Sequence, residues 1–83
     1  MKIRYFAWLK QRTGIGAEDI DPPPHVTTVE ALMAHLGERH PRFAEALAQP
    51  GVVRCAVNQE YADPATALKA GDEVAFFPPV TGG

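Results

Sequence analysis

The segment Thr27-Thr28-Val29-Glu30-Ala31-Leu32-Met33-Ala34-His35-Leu36 carries the clearest periodicity in the chain. Val29, Leu32, Met33 and Leu36 recur at i, i+3, i+4 and i+7, which sets them on one stripe of an α-helix. Thr27, with Glu30 three residues on, has the form of a capping box, so Thr27 is the expected N-cap. Pro41 restricts the residue before it, and the helix is expected to end within residues 37–40. Pro41 then opens a second, shorter helix through Gln49, with Phe43, Ala44 and Leu47 inward, until Pro50-Gly51 breaks it. A helix with one apolar face must cover another layer. The sequence on either side supplies strands for that layer.

Upstream, residues 2–9 read as a strand rich in aromatic and β-branched residues. Ile3, Tyr5, Ala7 and Leu9 share one parity, and Arg4, Phe6 and Trp8 share the other. Arg4 must reach water, so the Ile3 side is the expected core face, and Phe6 and Trp8 point outward. Gly14 and Gly16 mark a hairpin turn into a short returning strand, residues 17–20. Pro22, Pro23 and Pro24 exclude both helix and ladder pairing and make a stiff connection.

Downstream, residues 52–57 alternate Val53, Cys55 and Val57 against Arg54. Asn58-Gln59-Glu60 turns the chain into a short Tyr61-Ala62 segment. Leu68 is a lone anchor between the turns Asp63-Pro64 and Ala70-Gly71-Asp72. Residues 73–77 form the last strand, with Val74 and Phe76 alternating against Glu73, Ala75 and Phe77. The helical middle supplies a crossover, so the first and last strands are expected side by side and parallel. The element order predicts an α+β fold of the β-grasp, ubiquitin-like architecture. It has a mixed sheet of about five strands, one main helix and a short second helix. Residues 1–77 then form the folded domain, and residues 78–83 extend beyond it.

With 83 residues the chain supports one domain with a thin core. Its 46% apolar and 22% charged content is that of a folded globular chain, not a disordered one. No apolar run approaches the ~20 residues of a membrane span, and the start lacks a signal peptide's cleavage site, so a cytoplasmic location is expected. Eight Lys and Arg against ten Asp and Glu argue against nucleic-acid binding. One cysteine excludes an internal disulfide framework. His25, His35 and His40 stand at spacings that suit no shared ligand set, and no metal site is expected. Cys55 alternates with Val53 and Val57 without a flanking base, and reads as core packing. Asp72-Glu73 reads as a turn entering a strand. Gly14-x-Gly16 lacks the third glycine of a dinucleotide loop.

The C-terminus breaks the pattern. Pro78-Pro79-Val80-Thr81-Gly82-Gly83 holds two prolines and two terminal glycines and little side-chain bulk. At ~3.3–3.6 Å per residue it reaches about 20 Å beyond the sheet. The prolines stiffen its base, and the glycines allow the backbone to thread where no side chain fits. Such a tail suits delivery of its terminal carboxylate into another protein's pocket, while the residues alone also allow a frayed end. With the first and last strands adjacent, outward Phe6 and Phe77 fall close together, and Tyr61 extends the patch. Exposed aromatics grouped in this way mark an interface. Either a partner or a second copy of the chain can cover them.

The run from Leu68 through Gly71-Asp72-Glu73-Val74-Ala75-Phe76-Phe77-Pro78-Pro79-Val80-Thr81-Gly82-Gly83 resembles the family of molybdopterin synthase small subunits, which are ubiquitin-like sulfur carriers. Tyr5-Phe6-Ala7, Thr28-Val29-Glu30-Ala31-Leu32 and Ala56-Val57-Asn58-Gln59 resemble it as well; Pro22 to Pro24 are not part of that pattern. The resemblance implies that an E1-like adenylyltransferase consumes ATP to activate the carboxylate of Gly83. A sulfur donor then converts it to a thiocarboxylate. It further implies a docking patch of Phe6, Tyr61 and Phe77 and a tail, Pro78, Pro79, Val80, Thr81 and Gly82, inserted into the large subunit. There sulfur passes to a cyclic pyranopterin precursor, reached only through the large subunit, to build the molybdopterin dithiolene. The implied assembly is a heterotetramer with its catalytic side chains on the large subunit, so this chain alone is no enzyme and binds no cofactor. Other readings are a sulfur carrier for thiamine, cysteine or tRNA thiolation, a ubiquitin-type modifier, and a plain interaction domain.

Overall fold

In the computed structural model, which describes residues 1–79, the elements run β1 (Lys2–Tyr5), α1 (Trp8–Thr13), β2 (Ala17–Asp19), α2 (Val29–Arg39), α3 (Pro41–Leu47), β3 (Arg54–Val57), β4 (Glu60–Ala62) and β5 (Glu73–Phe77). The strands form one mixed sheet in the order β2-β1-β5-β3-β4. At its centre β1 and β5 pair in parallel, with Lys2 opposite Glu73 and Tyr5 opposite Phe76. The first and last strands are therefore adjacent and parallel, as the crossover argument requires, and the architecture is the β-grasp.

One parity of each central strand faces the helices. Ile3, Val74 and Phe76 from the sheet meet Val29, Leu32, Leu36 and Phe43 from α2 and α3, all fully buried. Each such side chain contributes about 1.5–3 kcal/mol by leaving water. The centre is aromatic: the Phe43 ring stands edge-on to Phe76 and to Tyr5, with centroids 5.4 Å away in each case. In α3, Phe43 and Ala46 are the buried residues, whereas Ala44 and Leu47 are only half-buried.

The cap of α2 falls one residue later than the capping-box pattern predicts. Thr28 is extended (φ −134°), and its Oγ1 accepts from the Ala31 amide at 3.2 Å. Thr27 is engaged elsewhere, its carbonyl accepting from the Leu68 amide at 2.9 Å. The next two amides of the first turn, Val29 and Glu30, donate to the carbonyls of Thr66 and Pro64. The loop around residues 64–68 thus satisfies two of the donors that the first turn of a helix otherwise leaves unpaired.

Residues 2–9, expected as one strand, divide between β1 and the start of α1. The strand stops at Tyr5, and the chain turns, with the Leu9 amide donating to the Phe6 carbonyl at 3.2 Å. Ala7, expected in the core, is exposed and carries φ 55°, ψ −138°, the first central position of a type II′ turn. A third helix, α1, follows and buries Leu9 completely. Leu9 therefore reaches the core from a helix, not from the strand its parity suggested. Gly14 ends α1 in the left-handed conformation (φ 79°), its amide donating to the Lys10 carbonyl at 2.9 Å. The expected hairpin turn at Gly14-x-Gly16 is this helix cap and the path to β2. Among the described residues, no helix is long and apolar enough to cross a membrane.

Candidate interaction surface at the end of the last strand

Val74 and Phe76 are buried toward the helices, so Phe77 lies on the opposite face of the sheet, half-buried. Strand β3 separates β5 from β4 and places Arg54 opposite Phe77 and Ala56 opposite both Ala75 and Tyr61. The small Ala56 and Ala75 side chains leave room above the sheet. Tyr61, 78% exposed, leans across them until its ring centroid is 5.8 Å from that of Phe77. Arg54, Tyr61, Phe77 and Pro79 border a hollow of about 120 Å³.

On the other flank of β5, the Phe6 amide donates to the Phe76 carbonyl at 3.0 Å. This bond closes the Tyr5–Phe76 pair of the parallel ladder, so Phe6 leaves β1 level with the end of β5. Phe6 is 46% exposed. Among the described residues, the ring contact is between Tyr61 and Phe77, and Phe6 takes part in none. Pro78 is half-buried and Pro79 exposed as the chain leaves the sheet. Val80, Thr81, Gly82 and Gly83, the sequence-predicted end of the tail, lie outside the described residues.

Local chemistry fixes β5 in this position. Asn58 (φ 51°) and Gln59 (φ 70°) both have positive φ and close the β3–β4 hairpin in two residues, the requirement of a type I′ turn that asparagine meets well. The Asn58 side chain donates to the Asp72 carboxylate and accepts from the Glu73 amide, each at 3.0 Å. Asp72 also accepts from the Lys69 amide at 2.8 Å. That backbone bond, with the Asn58 bond, holds the Asp72 carboxyl below the usual carboxylate range. Asp72 is thus a clasp at the entry to β5, in keeping with its reading as part of a turn.

Cys55, Glu18 and Tyr5 serve the fold as well. Burial pushes the Cys55 thiol up, and its Sγ lies 3.6 Å from the Ala62 carbonyl. Glu18 on β2 accepts from the Tyr5 hydroxyl at 2.7 Å and from Arg39 at 2.9 Å, with His40 Nε2 at 2.8 Å. Burial alone raises the Glu18 carboxyl, but these partners together outweigh it and hold it below its ordinary value. Tyr5 is pushed upward, by burial first and then by its bond to Glu18. The cluster ties the β2 edge to the α2–α3 junction. His25 is exposed and His35 half-buried on α2. Among the described residues, no three His, Cys, Asp or Glu side chains gather as a metal site would require.

Two features in the residues just after β1 were outside the sequence prediction of site residues. Arg12 lies over the Trp8 ring, 5.5 Å from its centroid, and Trp8 is 36% exposed. The positive φ of Ala7 between Phe6 and Trp8 costs about 1–3 kcal/mol for a residue other than glycine. The outward parity of Phe6 and Trp8 was the signal available in the sequence.

A family model described as the ThiS family matches residues 3–83. The molybdopterin synthase sulfur carrier subunit of Escherichia coli (strain K12) is 41% identical over 83 residues, spanning 100% of this chain and 99% of that protein. The small archaeal modifier protein 1 of Haloferax volcanii has a crystal structure similar to this fold, with TM-score 0.80 and 29% identity over 99% of this chain and 97% of that one. A chain in the complex of subunits 1 and 2 of the molybdopterin-converting factor from Helicobacter pylori 26695 matches with TM-score 0.65 and 26% identity, covering 99% of this chain and 96% of that one.

Proposed function

The chain belongs to the ThiS family, and from that premise we propose that it is the sulfur carrier subunit of a molybdopterin synthase, with the sulfur held as a thiocarboxylate on Gly83. The observation that carries the reading is the 41% identity with the Escherichia coli carrier subunit, which spans all 83 residues and so includes the Gly-Gly end.

The chemistry suits a chain whose perturbed titratable groups, Tyr5, Glu18, Cys55 and Asp72, serve its fold. A carboxylate is a poor electrophile, so the E1-like adenylyltransferase joins it to AMP at the expense of ATP. Sulfide supplied by the donor then attacks the acyl carbon, AMP leaves, and a thiocarboxylate remains. The resulting thiocarboxylate is a good nucleophile at neutral pH without help from a neighbouring side chain. Cys55 is buried and raised, which fits sulfur carriage at the terminus instead of at the thiol. ATP is consumed by the activating enzyme, and the carrier itself holds no cofactor.

The docking surface is the patch of Tyr61, Phe77 and Phe6 at the root of the tail. Pro78 and Pro79 direct Val80, Thr81, Gly82 and Gly83 into the large subunit, whose side chains carry out the transfer to the pterin precursor. The assembly is a heterotetramer in the cytoplasm. The structure of the Helicobacter pylori complex of two converting-factor subunits supports this partnership. The test is reconstitution: thiocarboxylated chain, large subunit and cyclic pyranopterin precursor should yield molybdopterin, and a chain lacking Gly82 and Gly83 should yield none. Product formed equally by the truncated chain overturns the reading.

Similarity to the Haloferax volcanii modifier protein favours one alternative, a protein modifier joined through Gly83 to lysines. It predicts isopeptide conjugates in cell extracts and an inactive reconstitution. A carrier for thiamine, cysteine or tRNA thiolation predicts charging without transfer to the pterin precursor.

A further inference from the structure

We propose that the surface docking on the large subunit turns the corner at Ala7 and includes Trp8 and Arg12, and that the partner meets it with an apolar surface bearing carboxylates. The inference rests on the reading of this chain as the carrier subunit.

The sheet order sets the geometry. Strand β5, from which the tail departs, has β1 on one side and the β3–β4 hairpin on the other. Because β1 runs parallel to β5, its outgoing end lies level with the root of the tail. The root is therefore bracketed: Arg54 and Tyr61 stand on one flank, and Phe6, Ala7 and Trp8 on the other. A partner that receives the tail from Pro78 onward must close around both flanks.

The second flank is built for contact. Phe6 and Trp8 are two of four exposed large hydrophobic residues among those described. They stand on either side of Ala7, whose φ of 55° is strained for alanine. The bond from Phe6 to the Phe76 carbonyl ties this turn to the last strand. Arg12 is held over the Trp8 face, with a long 3.5 Å contact to the exposed Glu45, so its charge is placed before any partner arrives. Arg54, opposite Phe77 in the ladder, borders the hollow that Tyr61 and Phe77 line. Aromatic rings with arginines at their edges are the composition of interface anchors. Their complement is an apolar hollow with acidic groups at its rim.

The test is titration of the full chain, and of Trp8→Ala, Trp8→Gln and Arg12→Gln variants, into purified large subunit by calorimetry at two salt concentrations. Circular dichroism melts check the fold. Trp8→Ala is expected to weaken binding about tenfold or more. Arg12→Gln is expected to weaken it several-fold and to reduce the salt dependence. Native affinity in a folded Trp8 variant that sits beside a weakened Phe77→Ala overturns this inference and leaves the carrier reading intact. Native affinity in Phe77→Ala and in the chain lacking Gly82 and Gly83 as well counts against the carrier reading itself. Should both Trp8 variants fail to fold, Arg12→Gln decides: an unchanged affinity and salt dependence rejects the extended surface.

Discussion

The amide of Phe6 donates to the carbonyl of Phe76 at 3.0 Å, closing Tyr5–Phe76, the last pair of the parallel ladder. That bond joins the start of the chain's strained turn to the strand that launches its C-terminus. Ring contact across β3 then adds Tyr61 to Phe77 from the opposite side. An exposed aromatic surface at the foot of a Pro-Pro segment follows from these two relationships, and so does the shape a partner must fit.

Truncating the centre of that surface should weaken partner binding with little effect on the fold. Phe77→Ala and Tyr61→Ala are each expected to lose about tenfold or more in affinity for the large subunit. Tyr61→Ala should melt within a few degrees of the native chain, because Tyr61 is 78% exposed. Calorimetric titration and thermal melts measure the two effects separately.

Asn58 should matter to stability more than its exposed position suggests. Asn58→Ala removes the partner of the Asp72 carboxylate and of the Glu73 amide, and puts alanine at φ 51°. A loss of about 1–3 kcal/mol is expected, read from urea denaturation. Asn58→Gly keeps the turn conformation and should lose less.

Ala7→Gly should raise the melting temperature. Glycine adopts φ 55° freely, and relief of about 1–3 kcal/mol of strain exceeds the roughly 0.4–1 kcal/mol that glycine adds to the unfolded chain's entropy. Ala7→Val, β-branched at the same position, should lower it. Differential scanning calorimetry of the two variants gives the signs.

Acid should loosen the β2 edge through Glu18. Its folded pKa lies below the ordinary 4.5, so the folded state favours the carboxylate. The stabilisation is present above the unfolded pKa and is lost as pH falls through the lower, folded value. Tyr5 acts at the other extreme: its folded pKa is raised above 10.0, so its contribution is present below that value and is lost as pH rises beyond it. Denaturation curves from neutral to acid pH should show a smaller drop in Glu18→Gln than in the native chain.

Much of this was legible in the sequence, for identifiable reasons. Strand β5 falls at its predicted bounds because strict alternation is closed off by Gly71-Asp72 before it and Pro78-Pro79 after it. Its parallel pairing with β1 followed from the crossover alone. Helix α1 was hidden because Leu9 satisfies the core from either a strand or a helix, and a window of eight residues does not separate the two periods. The cap of α2 moved by one residue because carbonyls about 35 residues downstream take its first donors, a tertiary fact that no local pattern holds. The Glu18 cluster joins residues far apart in the chain and left no trace in spacing. The Tyr61–Phe77 contact was expected as part of one patch, whereas Phe6 meets it through the backbone and not through its ring.

Sulfur carriage on Gly83 can be read from the intact mass of the chain after incubation with ATP, a sulfur source and an E1-like enzyme active on a related carrier. Carriage on Gly83 predicts a gain equal to the difference between one sulfur and one oxygen atom, localised by fragmentation to Gly83, retained in Cys55→Ala and absent from a chain lacking Gly83. A gain localised to Cys55, or one that persists without Gly83, would contradict it.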